Sequence, residues 1–251
     1  MDTFMDSLFS LQNKTILIVG ASSGIGHHAA HLFAKWGGNL ILAARREPLI
    51  KDLSKKLGSQ SIAVDITKPE TIADLLSQIK QVDVLLNTAG LNIRKPALAH
   101  TEADWDTLMN TNLKGAWALT KAVIQKMIND KTSGKIINMS SIYGTVTAQD
   151  YLLYATSKAG IEHMTRSFAL ENGKYGIQVN AIAPGYIETD LNREYLKNVL
   201  GNAIAERTPL GRLAQLQDLN GALLLLASQA SDYITGTIIS VDGGCAARRF
   251  L

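Results

Sequence analysis

The chain has 251 residues, 46% of them hydrophobic and 19% charged, long enough for one large domain whose core needs neither disulfide nor metal. Its single cysteine, Cys245, excludes an internal disulfide and implies a reducing compartment. The net charge of +3 is spread along the chain with no basic stripe interleaved by aromatics, which argues against a nucleic-acid partner.

The opening MDTFMDSLFS carries two acids and no base, unlike a secretory leader, and no apolar run approaches the roughly 20 residues of a membrane span. A cytoplasmic protein without a membrane partner is expected. Short, continuously apolar runs then alternate with longer amphipathic ones. Strands are predicted at 15–20, 39–44, 61–64, 82–87, 135–140, 177–182 and 237–241. Helices are predicted at about 24–36, 47–57, 69–80, 104–129, 152–173 and 215–228. Strands buried on both faces lose the alternation of apolar and polar residues, as most of these runs do. Thr67-Lys68-Pro69-Glu70 offers a cap, an early proline and an acid, all helix-start signals. The alternation predicts an α/β fold: a single-domain, Rossmann-like, doubly wound parallel sheet of about seven strands with helices on both faces. Residues 186–212, broken by Gly201, Pro209 and Gly211, are expected to form a helical flap on the substrate side before the last strand.

The first strand runs straight into Gly20-Ala21-Ser22-Ser23-Gly24-Ile25-Gly26. Gly20 suits a tight turn, Gly24 a close backbone approach to a ligand, and Gly26 close packing of helix on strand. A helix starting there offers free N–H groups and a positive dipole end to a pyrophosphate. The spacing is GxxxGxG rather than the commoner GxGxxG. A strand–turn–helix context favours phosphate binding over a plain turn. The second strand ends Ala43-Ala44-Arg45-Arg46, where sheets that bind NAD tend to place an acid for the ribose 2′-hydroxyl. Small Ala44 followed by arginines favours a 2′-phosphate, and so NADP(H) over NAD(H).

Residues 135–141 (KIINMSS) read as a buried strand ending in hydroxyls, and Tyr154 follows Ser141 by thirteen residues. Tyr154 and Lys158, at i and i+4, share one helix face. A phenol with an ordinary pKa of about 10 is a poor proton carrier at neutral pH, and a neighbouring ammonium is expected to lower it. Serine can share a substrate oxygen with the tyrosine. Together these groups suit interconversion of a carbonyl and an alcohol with hydride transfer.

These residues resemble the short-chain dehydrogenase/reductase family from about residue 11 to residue 244. The motifs that carry the resemblance are Gly20…Gly24-Ile25-Gly26, Asp65, Asn87-Thr88-Ala89-Gly90, Asn112, Ser141, Tyr154…Lys158, Pro184-Gly185…Thr189 and Val241-Asp242-Gly243-Gly244. The resemblance implies that Tyr154 is the general acid/base and that Ser141 orients the reacting oxygen. Lys158 would bond the nicotinamide ribose and tune Tyr154, and Asn112 would hold a water in a proton relay reaching Lys158. Cofactor contacts are implied for Gly20, Ser22, Ser23, Gly24, Ile25, Gly26, Arg45 and Arg46. Asp65 and Ile66 would flank the adenine, and Asn87, Ala89 and Gly90 the central part of the cofactor. Pro184, Gly185, Ile187 and Thr189 would lie on the nicotinamide side, beside Tyr154 and Lys158. The family's usual subunit contacts, the helices at 104–129 and 152–173, imply a homotetramer.

Val19 and Thr88 depart from the family's usual threonine and asparagine, with small effects on stability expected. Tyr143 and Tyr151 either line the substrate pocket or pack at its rim. His27 and His31 share a helix face but have no acid or cysteine nearby in sequence, so no metal site is expected. The likeness is greatest to the gluconate 5-dehydrogenase, 2-deoxygluconate dehydrogenase and 3-oxoacyl-carrier reductase branch. Arg94 and Lys95 could attract the carboxylate of a keto sugar acid such as 5-ketogluconate, or face solvent or another subunit. A 3-oxoacyl-carrier substrate would instead need a basic docking surface, with Lys131, Lys135 and Arg166 as candidates. A non-catalytic dinucleotide sensor is the reading from another class, and it gives no reason for the complete set Asn112, Ser141, Tyr154 and Lys158.

Overall fold

The computed structural model describes residues 8–188 and 199–247. Seven strands form one sheet in the order β3-β2-β1-β4-β5-β6-β7, every neighbouring pair parallel. They are β1 (Thr15–Val19), β2 (Asn39–Ala44), β3 (Gln60–Ala63), β4 (Val84–Asn87), β5 (Gly134–Met139), β6 (Ile177–Pro184) and β7 (Ile238–Val241). The helices between them are α1 (Gly24–Lys35), α2 (Glu47–Leu57), α3 (Pro69–Ser77), α4 (Glu102–Met109), α5 (Ala116–Asn129), α6 (Leu152–Asn172), α7 (Val199–Arg207) and α8 (Asn220–Ala227).

Two apolar layers explain the continuously apolar strands. Ile16, Ile18, Leu40 and Leu42 point to one face, where Ala29 and Phe33 of α1, Ile50 of α2 and Leu223 of α8 cover them. Leu17, Val19, Ile41 and Ala43 point to the other, under Leu75 of α3 and Leu119, Val123 and Met127 of α5. Adjacent residues of a strand face opposite sides, so a sheet covered on both must be apolar throughout. The strand order reverses between β1 and β4, and open α/β sheets place their ligand crevice at such a reversal, outside the carboxyl ends of the strands.

One predicted element differs. The helix expected over 104–129 divides into α4 and α5, joined by a wider π-helical stretch, Asn110–Gly115. Such stretches appear mostly as single turns within α-helices and frequently at functional sites. This one carries Asn112. α4 begins with a capping box, in which Thr101 and Asp104 satisfy each other's backbone N–H groups. Among the described residues, no helix is long and apolar enough to cross a membrane.

Candidate active site

The glycine turn after β1 is held by close approaches. Gly20 has φ +90°, a left-handed conformation that a side chain would strain. A Cβ on Gly26 would lie 2.5 Å from the Gly20 carbonyl oxygen and 2.6 Å from Thr88 Oγ1. Helix α1 therefore starts directly against the turn. Thr88 donates from Oγ1 to the Val19 carbonyl at 2.9 Å, tying the end of β4 to the end of β1. Ile25 packs against the core beneath, and Ser23, at the cap of α1, makes no side-chain capping bond.

The Ser23 hydroxyl is used differently. Arg46 donates from Nη2 to Ser23 Oγ at 2.6 Å and Ser22 Oγ at 2.9 Å, and from Nε to Ser22 Oγ at 3.2 Å. The second arginine, not Arg45, is thus brought onto the glycine turn. The Asp65 carboxylate accepts from the Thr67 amide and hydroxyl at 3.1 and 2.8 Å. Burial pushes Asp65 up, but the Thr67 bonds and the charges of Arg45 and Lys68 outweigh it and hold the carboxyl below its ordinary value. Ile66 is buried against Gly115 in the π-helical stretch.

Across the crevice, Asn112 is 1% exposed. It accepts from the Leu91 amide and donates to the Leu91 carbonyl, both at 2.8 Å, and donates to Ser157 Oγ at 3.2 Å. Its side chain fastens the loop after Gly90 to α6. A Cβ on Gly90 would lie 3.3 Å from Asn112 Oδ1 and 3.7 Å from Lys158 Nζ, so this loop runs close beside both groups. Asn87 steadies the loop by accepting from the Ala89 amide at 3.2 Å. Buried Lys158 donates to the Met139 carbonyl at 2.7 Å, with its Nζ 5.5 Å from the centre of the Tyr154 ring. Ser141 accepts from the Tyr143 amide at 3.2 Å and hydrogen-bonds the Tyr154 phenol. Beside β6, the Gly185 amide donates to the Val241 carbonyl at 3.0 Å, and buried Ile187 bridges to Ala214. Pro184 ends β6 opposite Val241. Thr189 and much of the expected flap, including Asp190, Arg193 and Glu194, lie outside the described residues.

A family model described as enoyl-(acyl carrier protein) reductase matches residues 20–246. The chain belongs to the short-chain dehydrogenase/reductase family. It is an oxidoreductase. It is 37% identical to the 3-oxoacyl-(acyl-carrier-protein) reductase of Chlamydia trachomatis, over 94% of this chain and 98% of that protein. It is 36% identical to the 2-dehydro-3-deoxy-D-gluconate 5-dehydrogenase of Bacillus subtilis, over 98% and 99%. Among solved structures it is similar to a gluconate 5-dehydrogenase from Burkholderia cenocepacia in complex with NADP and tartrate. That match has a TM-score of 0.93 at 31% identity and covers 98% of this chain and all of that one.

Several details of this family member differ from expectation. Burial is the larger influence on Tyr154 and raises its phenol above the ordinary value, with the Ser141 hydrogen bond opposing. The expected lowering by Lys158 does not appear among the influences on the phenol, and burial brings the Lys158 amine itself down to about 8. Tyr143 and Tyr151 are both buried at the site, their rings stacked 4.4 Å apart, and Tyr143 lies edge-on to Tyr154 at 6.3 Å. The Tyr143 hydroxyl hydrogen-bonds that of Tyr186, a residue sequence reading passed over. Lys95 donates to both oxygens of Asp104 at 2.9 and 2.7 Å, so it is spent inside the chain. Arg94 lies 5.5 Å from the centre of the Tyr151 ring and 3.6 Å from Asp150. Two of the three candidate docking bases are also engaged. Lys135 is buried and pairs with Asp232 at 2.9 Å, and Arg166 lies 3.6 Å from Glu162. Among the described residues, no group of three or more His, Cys, Asp or Glu is placed to hold a metal. The His27 and His31 rings sit 5.0 Å apart on α1.

The sequence motifs also leave out Glu162, whose carboxylate accepts from Ser140 Oγ at 3.0 Å. Position gave a signal for the glutamate: it follows Lys158 by four residues and Tyr154 by eight, on one face of α6.

Proposed function

We propose that this short-chain oxidoreductase interconverts a carbonyl and a secondary alcohol with NADP(H), on a keto sugar acid such as 5-ketogluconate. The observation that carries the cofactor reading is the Arg46 guanidinium on Ser22 and Ser23, beside a second strand that ends in Ala44 rather than an acid. A 2′-phosphate would be recognised by that planar, charged donor. The glycine turn fits a dinucleotide, because without a Cβ at Gly20 or Gly26 it packs directly against Thr88 and the start of α1, which leaves that helix's N-terminus to receive a pyrophosphate. Arg45, Asp65, Ile66, Asn87, Ala89, Gly90, Pro184, Gly185, Ile187 and Thr189 complete the contacts, and Lys158 serves the nicotinamide ribose. When bound, the cofactor supplies or accepts the hydride.

In the reductive direction Tyr154 gives its phenolic proton to the carbonyl oxygen as that oxygen gains charge, completing the alcohol. Burial keeps the phenol protonated until then. Ser141 donates a hydrogen bond to the same oxygen, and Lys158 in its ammonium form steadies the phenolate left behind. Asn112 belongs to the relay that restores the proton. In oxidation the roles reverse.

The sugar-acid reading is supported by Arg94 beside the Tyr151 ring and by the similarity to two sugar-acid dehydrogenases. A second reading, reduction of a 3-oxoacyl carrier thioester, is favoured by the Chlamydia trachomatis relative. We extend the proposal to a cytoplasmic homotetramer of single-domain subunits with a substrate-side flap at 186–212. Half-exposed Trp105 and Trp117, and exposed Leu152 and Leu170 on α6, support an assembly face.

The test is binding of NADPH and NADH to the wild type and to Arg46→Ala, followed by turnover with 5-ketogluconate and with an acetoacetyl thioester. Loss of charge-assisted bonds to a phosphate should weaken NADPH by about 10- to 100-fold and leave NADH nearly unchanged. Equal loss for both cofactors would refute a 2′-phosphate role for Arg46. Thioester turnover without ketogluconate turnover would select the second reading.

A further inference from the structure

Glu162 is 4% exposed, and a glutamate is almost never so buried unless it is paired. Its Oε1 accepts from Ser140 Oγ at 3.0 Å, its Oε2 from Thr145 Oγ1 at 3.5 Å, and Arg166 Nη2 lies 3.6 Å away. Ser140 Oγ also lies 3.4 Å from the Lys158 carbonyl. Ser140 and Thr145 stand on either side of the 3₁₀ turn Ile142–Gly144, which Ser141 caps. The two carboxylate oxygens therefore grip both ends of the segment that presents Ser141. A Cβ on Gly144 would collide with the Glu162 carboxylate, so the missing side chain there lets the carboxylate lie against the turn.

We infer that Glu162 is a positioning residue, clamping the Ser141 turn to the face of α6 that carries Tyr154 and Lys158. The inference rests on the proposed roles of Ser141 and Tyr154, whose hydroxyls must meet at one substrate oxygen. Each is anchored on a different element, Ser141 beyond β5 and Tyr154 in the first turn of α6. Drift of the turn would take both hydroxyl donors from a buried carboxylate and leave it only the more distant Arg166, which makes the arrangement stiff. Stiffness matters because a misplacement of about 1 Å at reacting groups can cost on the order of a hundredfold in rate.

Amide hydrogen exchange reads this clamp without any substrate, through the Tyr143 and Gly144 amides that bond Ser141 Oγ and the Ser141 carbonyl. Glu162→Leu should speed exchange at those two amides by about tenfold while β5 stays protected. Glu162→Gln, which keeps an acceptor for Ser140, should restore slow exchange. Turnover of whichever carbonyl probe is active should fall about 10- to 100-fold in kcat for Glu162→Leu, with NADPH affinity unaltered, and Glu162→Gln should recover most of it. Should Glu162→Leu fail to fold, Ser140→Ala should show the same effects in smaller measure.

Unchanged exchange at the turn in a folded Glu162→Leu or Ser140→Ala protein would overturn the clamp. So would loosening of the whole sheet together with the turn, or a glutamine variant as impaired as the leucine one. Fast exchange with unaltered kcat would overturn its role in positioning. Full activity in Tyr154→Phe would instead remove the proposed function while leaving the exchange result standing.

Discussion

The two sides of the crevice are built from different materials. At the β1 side, the backbone makes the surface: Gly20 and Gly26 are where they are because a Cβ would strike Gly20 O, Thr88 Oγ1 or the Ala89 amide. At the β5 side, side chains make it: Ser141, Tyr154 and Lys158 project from a turn and a helix, with Tyr143, Tyr151 and Tyr186 packed around them. A surface made of backbone tolerates almost no addition. One made of side chains tolerates additions at its rim, but each deletion removes a functional group. The first suits a ligand that never varies, the second a substrate that can differ between relatives.

Deletion on the side-chain face should have the largest effect. Tyr154→Phe removes the phenolic proton and little else, so kcat should fall by about a thousandfold with cofactor affinity preserved. Steady-state turnover alongside NADPH titration checks both halves of that statement. Addition on the backbone face comes next. Gly26→Ala puts a methyl 2.5 Å from a carbonyl oxygen, and overpacking of this kind costs about 1–3 kcal/mol. Urea unfolding should show that loss, with a weakened dinucleotide site in fluorescence titration. If Gly26→Ala left binding intact, the contrast between the two faces would be lost.

A third effect is a pH dependence belonging to the side-chain face alone. Folded Lys158 gives up its proton near 8, whereas the unfolded lysine keeps it to about 10.5. Between these values the unfolded state binds more protons, so the contribution of Lys158 to stability rises with pH there and is lowest below pH 8. Tyr154 acts oppositely and later, because the unfolded phenol loses its proton first as pH passes about 10. Denaturation of the apo protein at pH 7.5 and 9.5 should therefore show a rise in stability that Lys158→Met abolishes. The smallest effect is Thr88→Val. It removes the hydroxyl bond to the Val19 carbonyl, worth about 1 kcal/mol, and that carbonyl still accepts from the Thr88 amide.

Local features were the legible ones. A glycine-rich turn after an apolar strand, and a tyrosine four residues before a lysine, are fixed within a few residues of chain, so sequence suffices to find them. The continuous apolar strands announced a sheet covered on both faces for the same reason. The π-helical stretch at 110–115 escaped because one widened turn scarcely disturbs a 3.6-residue hydrophobic pattern. Arg45 and Arg46 are chemically identical in sequence, and only the exit of the chain from β2 decides which reaches Ser22. The Tyr143–Tyr186 bond and the Ser140–Glu162 bond span separations of 43 and 22 residues, which no short pattern encodes. The direction of the Tyr154 shift escapes sequence because the nearness of Lys158 is visible there and the depth at which the phenol is buried is not.

The edges of the sheet carry a consequence for handling the protein. Strand β6 has eight residues, all but one buried, and on its outer side its last four pair with the partly exposed residues of β7. Asn180 secures the approach to β7, donating to the Ile234 carbonyl at 2.8 Å and accepting from the Thr237 amide at 3.1 Å. A chain clipped before Thr237 would offer a long, flat, apolar row of unpaired N–H and C=O groups to any other extended chain. The short strand β7 thus shields an apolar edge, and a cut before it should leave that edge open to pairing with other chains.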